Sequence, residues 1–154
     1  MKTNHHRYTV QFRIAGKDVD PGNISLCLSL RPTQIRITGE RRSEGRVWDE
    51  SLWSFDGTTE DPSTPTEWDC LEDGLVFLLN MLEQKKPLID PYIDAKEAIW
   101  WCGNFQSSFD GGPTLSSALL NRLGAFGAPI FIDNYFAASD EGNDRPEPKQ
   151  PELS

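Results

Sequence analysis

The stretch YTVQFRI, residues 8–14, is the strongest indication of the fold because apolar and polar side chains alternate along all of it. A period of two is typical of a β-strand that buries one of its faces, so residues 8–14 predict a strand. Working outward, shorter runs rich in β-branched and aromatic residues predict four more strands, at 35–39, 48–55, 98–105 and 129–136.

Three helices are predicted between these strands. Asp20 and Pro21 supply an N-cap and a first-turn proline for a short helix. The main helix follows Thr66, a candidate N-cap, because apolar residues then recur every three or four positions as far as Leu82. Pro87 is expected to end this helix, since proline cannot continue the hydrogen-bond ladder of a helix interior.

The third helix follows a cap at Thr114 or Ser116 and is expected to end at Gly124, a natural left-handed stop. The polar, proline-broken stretch 56–67 predicts a loop. Two strands, 35–39 and 48–55, follow each other without a helix, which excludes a regularly alternating parallel fold. The fold class predicted is α+β, a two-layer sandwich with an antiparallel or mixed five-stranded sheet and three helices on one face.

Length and composition predict one folded domain. The chain has 154 residues, of which 37% are hydrophobic, and five tryptophans argue against a wholly disordered chain. We expect a flexible N-terminus at residues 1–7, a single domain at 8–136, and a disordered acidic tail at 137–154, where prolines replace aromatic residues.

Several function classes are disfavoured. A net charge of −9, from 15 Lys+Arg and 24 Asp+Glu, argues against nucleic-acid binding. No apolar run reaches the roughly 18 residues that span a bilayer, and no secretory signal is recognisable, so a cytoplasmic protein is expected. Cys27, Cys70 and Cys102 fit buried, reduced thiols. With His5 and His6 in the expected flexible terminus, we predict no catalytic residue, no metal site and no cofactor.

The most unusual feature is an acidic block. The segment 49–84 holds ten Asp and Glu residues and no Lys or Arg. Such a surface favours a basic protein partner. The function predicted is therefore a non-catalytic protein-binding domain, for example an immunity-type inhibitor of a basic toxin, with candidate partner-binding residues Asp49, Trp53, Asp56, Glu60, Asp61, Glu72 and Trp101. Alternatively, these acids are simply solvated or favoured at a helix N-terminus.

Trp100 and Trp101 are adjacent, so in a strand they point to opposite faces, and only one face is covered in a two-layer fold. One of the two should be more exposed. An exposed tryptophan near carboxylates leaves a second function open: a small-ligand or carbohydrate-binding domain, or a cryptic hydrolase. The oligomeric state is left open.

Five arginines lie within sixteen residues of the chain: Arg31, Arg36, Arg41, Arg42 and Arg46. Such a cluster can bind phosphate. Arginines that flank a hairpin more often pair with neighbouring carboxylates, and an acidic segment follows directly here, so pairing is the interpretation we favour.

Short motifs at both ends of residues 8–136 resemble those of a known family. They are FRIAG at 12–16, LRPT at 30–33 and, near the end, IDNY at 132–135. In these stretches the chain resembles the bacterial domain-of-unknown-function 4279 family. The resemblance implies a shared fold. It transfers no catalytic residue, because the motifs are core and turn positions and no reaction is assigned to the family.

Overall fold

The computed structural model describes residues 6–136. The predictions for the 1–7 terminus and the 137–154 tail lie outside the described residues, except at His6 and Arg7, and Arg7 is already part of the first strand. In chain order the elements are β1 (Arg7–Gly16), α1 (Pro21–Leu28), β2 (Gln34–Arg36), β3 (Arg41–Ser43), β4 (Arg46–Val47), β5 (Ser51–Phe55), α2 (Leu71–Leu82), a 3₁₀ turn (Glu83–Lys85), α3 (Lys86–Asp94), β6 (Ala98–Gln106), α4 (Ser117–Phe126) and β7 (Ile130–Phe136).

Five strands form one sheet in the order β2-β5-β1-β6-β7, with β1 at its centre. The pairs β2–β5, β5–β1 and β1–β6 are antiparallel, whereas β6–β7 is parallel. A parallel pair needs a crossover connection, and α4 lies within it. β3 and β4 form a separate hairpin. The predicted α+β class with a five-stranded sheet is confirmed, and the sheet is of the mixed kind.

The buried side of the sheet follows the alternation of β1. Every second side chain from Tyr8 to Ile14 is buried. Phe12 lies between Phe55 of β5 and Trp100 of β6 in the strand register, and its ring meets the Trp100 ring edge-on at 4.8 Å between centroids. These rings form the centre of the core because they are large apolar groups removed from water.

Three helical segments cover this side: α1, the run from α2 through the 3₁₀ turn to α3, and α4. Asp20 caps α1 as predicted, accepting a hydrogen bond from the backbone N–H of Asn23. Gly74 of α2 lies so close to β1 that a Cβ there would come within 2.7 Å of Val10 Cγ2. A residue without a Cβ thus permits the close approach of helix and sheet. Within residues 6–136, no helix combines the length and the apolar character needed to cross a membrane.

The main helix begins later than predicted. Thr66 does not cap it; α2 starts at Leu71, and its N-cap residue, Cys70, makes no side-chain cap bond. Trp68 instead extends the sheet, because its backbone exchanges hydrogen bonds with Tyr8 at 2.7 and 2.8 Å. Apolar spacing cannot distinguish a residue that pairs with a strand from one in a first helical turn.

Pro87 opens a helix rather than ending one. It lies in the first turn of α3, where the missing N–H of proline is one of those that a helix leaves unpaired anyway. α3 was not predicted. α4 likewise runs past Gly124 as far as Phe126, and its C-cap is Gly127, whose φ of 94° is left-handed. The helix continues because Phe126 is buried in the core.

Candidate functional site

The side of the sheet opposite the helices is called here the open face. The register places the following outward-pointing residues on it: Gln11, Arg13, Arg36, Ser54, Trp101, Phe105, Phe131, Asp133 and Tyr135. Trp100 is 0% exposed in the core, whereas its neighbour Trp101 is only half-buried on the open face. The prediction that these two rings point to opposite faces is confirmed.

Trp101 is held between two side chains. The guanidinium carbon of Arg13 lies 4.1 Å from the centroid of the Trp101 ring, a cation–π distance. On the next strand, the Phe131 ring lies 4.7 Å away between centroids. The half-buried indole therefore has one guanidinium and one aromatic ring as close neighbours, which leaves less of its surface free to stack on a sugar.

Hydrogen bonds fix Arg13 in this position. Its Nε donates to Gln11 Oε1 at 3.0 Å, and the Ser54 hydroxyl donates to the same oxygen at 3.1 Å. Gln11 on β1 thus orients the guanidinium, and Ser54 on β5 holds Gln11 in turn. A preorganised guanidinium loses less side-chain entropy when it binds a ligand.

The groups around Arg13 shift its pKa in both directions. Burial, and after it the nearby Arg36, lowers the pKa of Arg13 to about 10, while Tyr135 and Asp133 raise it. At neutral pH the side chain is still a cation. Burial, followed by the hydrogen bond that Tyr135 donates to Asp133, raises the pKa of the phenol to about 12. Tyr135 is therefore a neutral hydroxyl under the same conditions.

Sequence reasoning missed Arg13. The signal was available, because Arg13 lies between Phe12 and Ile14 in the alternating run and must point away from the core if they point into it. The partner of this arginine could not be foreseen. Trp101 is 88 positions away in the chain and meets Arg13 only through the β1–β6 pairing.

The arginine-rich segment forms the β3–β4 hairpin, whose turn holds Gly45 at a φ of 73°. Trp48 follows the hairpin instead of opening β5, which begins at Ser51. The predicted ion pairing with carboxylates is wrong for the cluster. Within residues 6–136, no ion pair involves any of its five arginines, and the Arg31 side chain donates to the backbone carbonyl of Thr59 instead. For two of them the Trp48 ring takes the place of a carboxylate, since Arg36 and Arg42 both lie against it.

The acidic loop after β5 is tied to the segment before β2. Asp56 accepts a hydrogen bond from the Thr33 hydroxyl at 2.8 Å, and Glu60 accepts one from the backbone N–H of Arg31 at 2.9 Å. Asp61 accepts bonds from the side chain and the backbone of Ser63, which lower the pKa of its carboxyl. These carboxylates hold the loop in its conformation.

The remaining predicted acids lie elsewhere. Glu72, in the first turn of α2, accepts a hydrogen bond at 2.5 Å from the backbone N–H of Ser116, the N-cap of α4. Asp49 is exposed between β4 and β5. The structure therefore does not bring the five candidate acids together in one site: three share a loop, one joins two helix ends and one lies near the hairpin.

The structure corrects the prediction made for Trp53. It was predicted to contact a partner, but it is 0% exposed in the core, its ring stacks on Phe55, and its indole N–H donates to the Ser25 hydroxyl. The alternation that places Trp53 beside Ile14 in the register turns it toward the helices. Trp53 cannot form part of a binding surface in this conformation.

The cysteines differ from one another. Cys102 is buried, and burial raises the pKa of its thiol to about 12, so it is not a nucleophile at neutral pH. Cys27 and Cys70 are exposed, and the prediction that all three thiols are buried is wrong for these two. Within the part of the chain that the structure describes, no three His, Cys, Asp or Glu side chains cluster as a metal site would require.

Comparisons with known proteins support the resemblance noted in the sequence. No curated protein matches this chain, and no solved structure matches it. A domain of unknown function, DUF4279, matches residues 6–137, which include every helix and strand described above. The chain therefore belongs to the DUF4279 family.

Proposed function

We propose that this protein is a non-catalytic binding domain that docks an acidic segment of a partner protein on its open face. The observation that carries the proposal is the Arg13–Trp101 pair, a guanidinium stacked on an indole on the side of the sheet without helices. Among residues 6–136, Arg13 takes part in no ion pair. Arginine and tryptophan are the residue types that contribute most at protein interfaces.

The surroundings of the pair suit a protein partner. Phe131 borders Trp101, and the stacked rings of Phe105 and Tyr135, 4.8 Å apart between centroids, continue the aromatic surface across β6 and β7. A carboxylate that reaches Arg13 gains a charge-assisted hydrogen bond while its neighbours cover apolar area. Because Gln11 already orients the guanidinium, little ordering is needed on binding.

The proposal reverses the charge of the partner expected from the acidic block. Asp56, Glu60 and Glu72 each accept hydrogen bonds that hold a loop or a helix end, so substituting them tests folding as much as binding. The open face, in contrast, presents Arg13 and Arg36 with Asp133 nearby, and neither arginine forms an ion pair among residues 6–136. Charge complementarity at that face favours an acidic partner.

The test is affinity capture from the native host with the full chain as bait, comparing Arg13→Gln and Trp101→Ala with the wild type. Each variant should lower the retention of a specific partner by about tenfold or more, because a guanidinium–carboxylate bond and an interface tryptophan each contribute about 1.5–3 kcal/mol. Retention should also fall as salt is raised.

Arg122→Gln is the matched control. It removes the same charge from α4, where Arg122 binds Asn80 and Glu83 on the helical side of the molecule. The control should retain the partner as the wild type does. Equal retention by the wild type, Arg13→Gln and Trp101→Ala would reject the open face as the docking surface.

A second candidate keeps the basic partner, as an immunity-type inhibitor of a toxin would require. It is favoured by the exposure of Asp49, Glu60 and Asp61, which lie outside the core. The same capture experiment separates the candidates. Loss of a basic partner in an Asp49→Lys variant, which leaves the loop bonds of Glu60 and Asp61 intact, with retention by Arg13→Gln, would select the acidic surface and exclude the open face.

A further inference from the structure

A half-open cavity lies between the β3–β4 hairpin, Trp48 and the end of β2, and it shares only Arg36 with the proposed docking surface. Its volume is about 400 Å³, and it is lined by Arg36, Arg42, Ser43, Arg46 and Trp48. Three of the five lining side chains are cations and none is an acid. The cavity is called the hairpin pocket below.

Two of the cations lie close together without a counter-charge. The guanidinium carbons of Arg36 and Arg42 lie 4.1 and 4.8 Å from the centroid of the same Trp48 ring. Like charges this close repel each other, and the electron-rich ring face offsets only part of that repulsion. Within residues 6–136, neither arginine forms an ion pair, although Glu40 and Glu44 are neighbours in the chain. An anion in the hairpin pocket would remove the repulsion.

One donor of a residue that lines the pocket has no acceptor. The Nε of Arg36 is shielded from solvent and has no hydrogen-bond partner in the described structure. Buried N–H groups without an acceptor are rare in folded proteins because an unmade hydrogen bond is costly, and a nearby anion is one group that could supply the acceptor. Burial and the nearby Arg42 both lower the pKa of Arg36, consistent with a cation that lacks a neighbouring anion.

We propose that the hairpin pocket binds a phosphoryl group through Arg36, Arg42 and Arg46, with the Ser43 hydroxyl as a further donor. Guanidinium forks match the oxygens of a phosphate, and its charge of nearly −2 at neutral pH suits several cations better than a single carboxylate does. The volume is ample for one phosphoryl group and part of its carrier. This inference does not require the proposed protein docking, because no lining residue belongs to the Arg13–Trp101 pair.

Calorimetric titration of the full chain with inorganic phosphate at low salt and about pH 7.5 tests the proposal, with sodium chloride at matched ionic strength as the blank. We expect saturable binding with Kd on the order of 1 mM or tighter. The variant Arg42→Gln, at an exposed position, should weaken binding about tenfold or more, since it removes one charge-assisted contact.

Arg41→Gln is the matched control because it removes the same charge one residue earlier in the hairpin, at a side chain that does not line the pocket. It should change the affinity less than about twofold. Far-ultraviolet circular dichroism of both variants verifies that they are folded. Equal weakening in the two variants, or no binding beyond the chloride blank, would overturn the proposal.

Two further titrations identify the carrier of the phosphoryl group. Phenyl phosphate that binds more tightly than inorganic phosphate supports a small organic phosphate, whereas a phosphoserine peptide that binds more tightly than free phosphoserine supports a modified protein. Either result should show the same loss in Arg42→Gln. If neither ligand binds and inorganic phosphate does not bind either, the hairpin pocket is not a phosphoryl site. The capture result for Arg13→Gln is independent of that outcome.

Discussion

The two sides of the central sheet use the same residue types for different purposes. On the covered side, Trp100 packs against Phe12 and Phe126, with ring centroids 4.8 and 5.3 Å away, beneath the helices. On the open side, its neighbour Trp101 lies under Arg13 with no helix above it. A covered aromatic ring is shielded by backbone elements that cannot move without unfolding. A ring shielded by one long side chain becomes available when that side chain moves.

The largest effect is expected when each of the two tryptophans is replaced by alanine, which tests the difference between the two sides directly. Trp100→Ala should lower the free energy of unfolding by about 3–5 kcal/mol, because it leaves a cavity in a closed core. Trp101→Ala should lower it by only about 1–2 kcal/mol, since water fills the space and one cation–π contact is lost. Urea denaturation followed by circular dichroism measures both. Equal losses would mean that the open face is as tightly packed as the core.

A smaller effect should appear at high pH through Cys102, whose partner in the register is Val10 on the covered side. Burial raises the pKa of this thiol from 9.0 to about 12, so above pH 9 the unfolded chain loses a proton that the folded chain keeps. Stability is then unaffected below pH 9 and falls as pH rises toward 12, by at most about 1.4 kcal/mol per pH unit.

The measurement is the pH dependence of the urea midpoint for the wild type, Cys102→Ala and Cys27→Ala. Cys102→Ala should make the decline above pH 9 shallower because one titrating group is gone, while Tyr135, whose pKa is also raised, still contributes above pH 10. Cys27→Ala, at an exposed thiol, is the control and should keep the wild-type slope. Identical slopes in all three proteins would show that the Cys102 thiol is not protected by the core.

The smallest expected effect compares two helical glycines. Gly74→Ala should lower the free energy of unfolding by about 1–3 kcal/mol, because the added Cβ would meet Val10 Cγ2 at 2.7 Å where α2 crosses β1. Gly124→Ala should stabilise by about 0.5–1 kcal/mol, since nothing lies within 4 Å of its Cβ and alanine favours the helix. Thermal denaturation midpoints should move in opposite directions. A midpoint that does not fall in Gly74→Ala would contradict the close approach of α2 to the sheet.

The acidic residues show where prediction from the sequence stops. Ten acids in one segment were visible at once, but their roles depend on partners far along the chain. The Asp56 bond to Thr33 spans 23 positions, the Glu60 bond to Arg31 spans 29, and the Glu72 bond to Ser116 spans 44. Charge composition therefore indicated a surface property, whereas the bonds that hold each carboxylate come from chain segments that only folding brings together.

The helical run from α2 to α3 shows the same limit. The apolar spacing of α2 located that helix, because a period of 3.6 residues is a local property. The helical run continues beyond Pro87 because Ile89 is buried in the core, and this burial stabilises the short helix α3. Proline alone is compatible with either outcome, so a local rule could not choose between them.

By itself, the sequence determined the α+β class, the alternation of β1 and the opposite orientation of Trp100 and Trp101, because strand geometry turns successive side chains to opposite sides whatever surrounds them. Only the tertiary structure decided which face the helices cover, that Arg13 rests on Trp101, and that Arg36 and Arg42 share Trp48. These contacts depend on the packing of segments that are distant in the chain. Their stability comes from burial and charge in the folded molecule rather than from residues adjacent in the sequence.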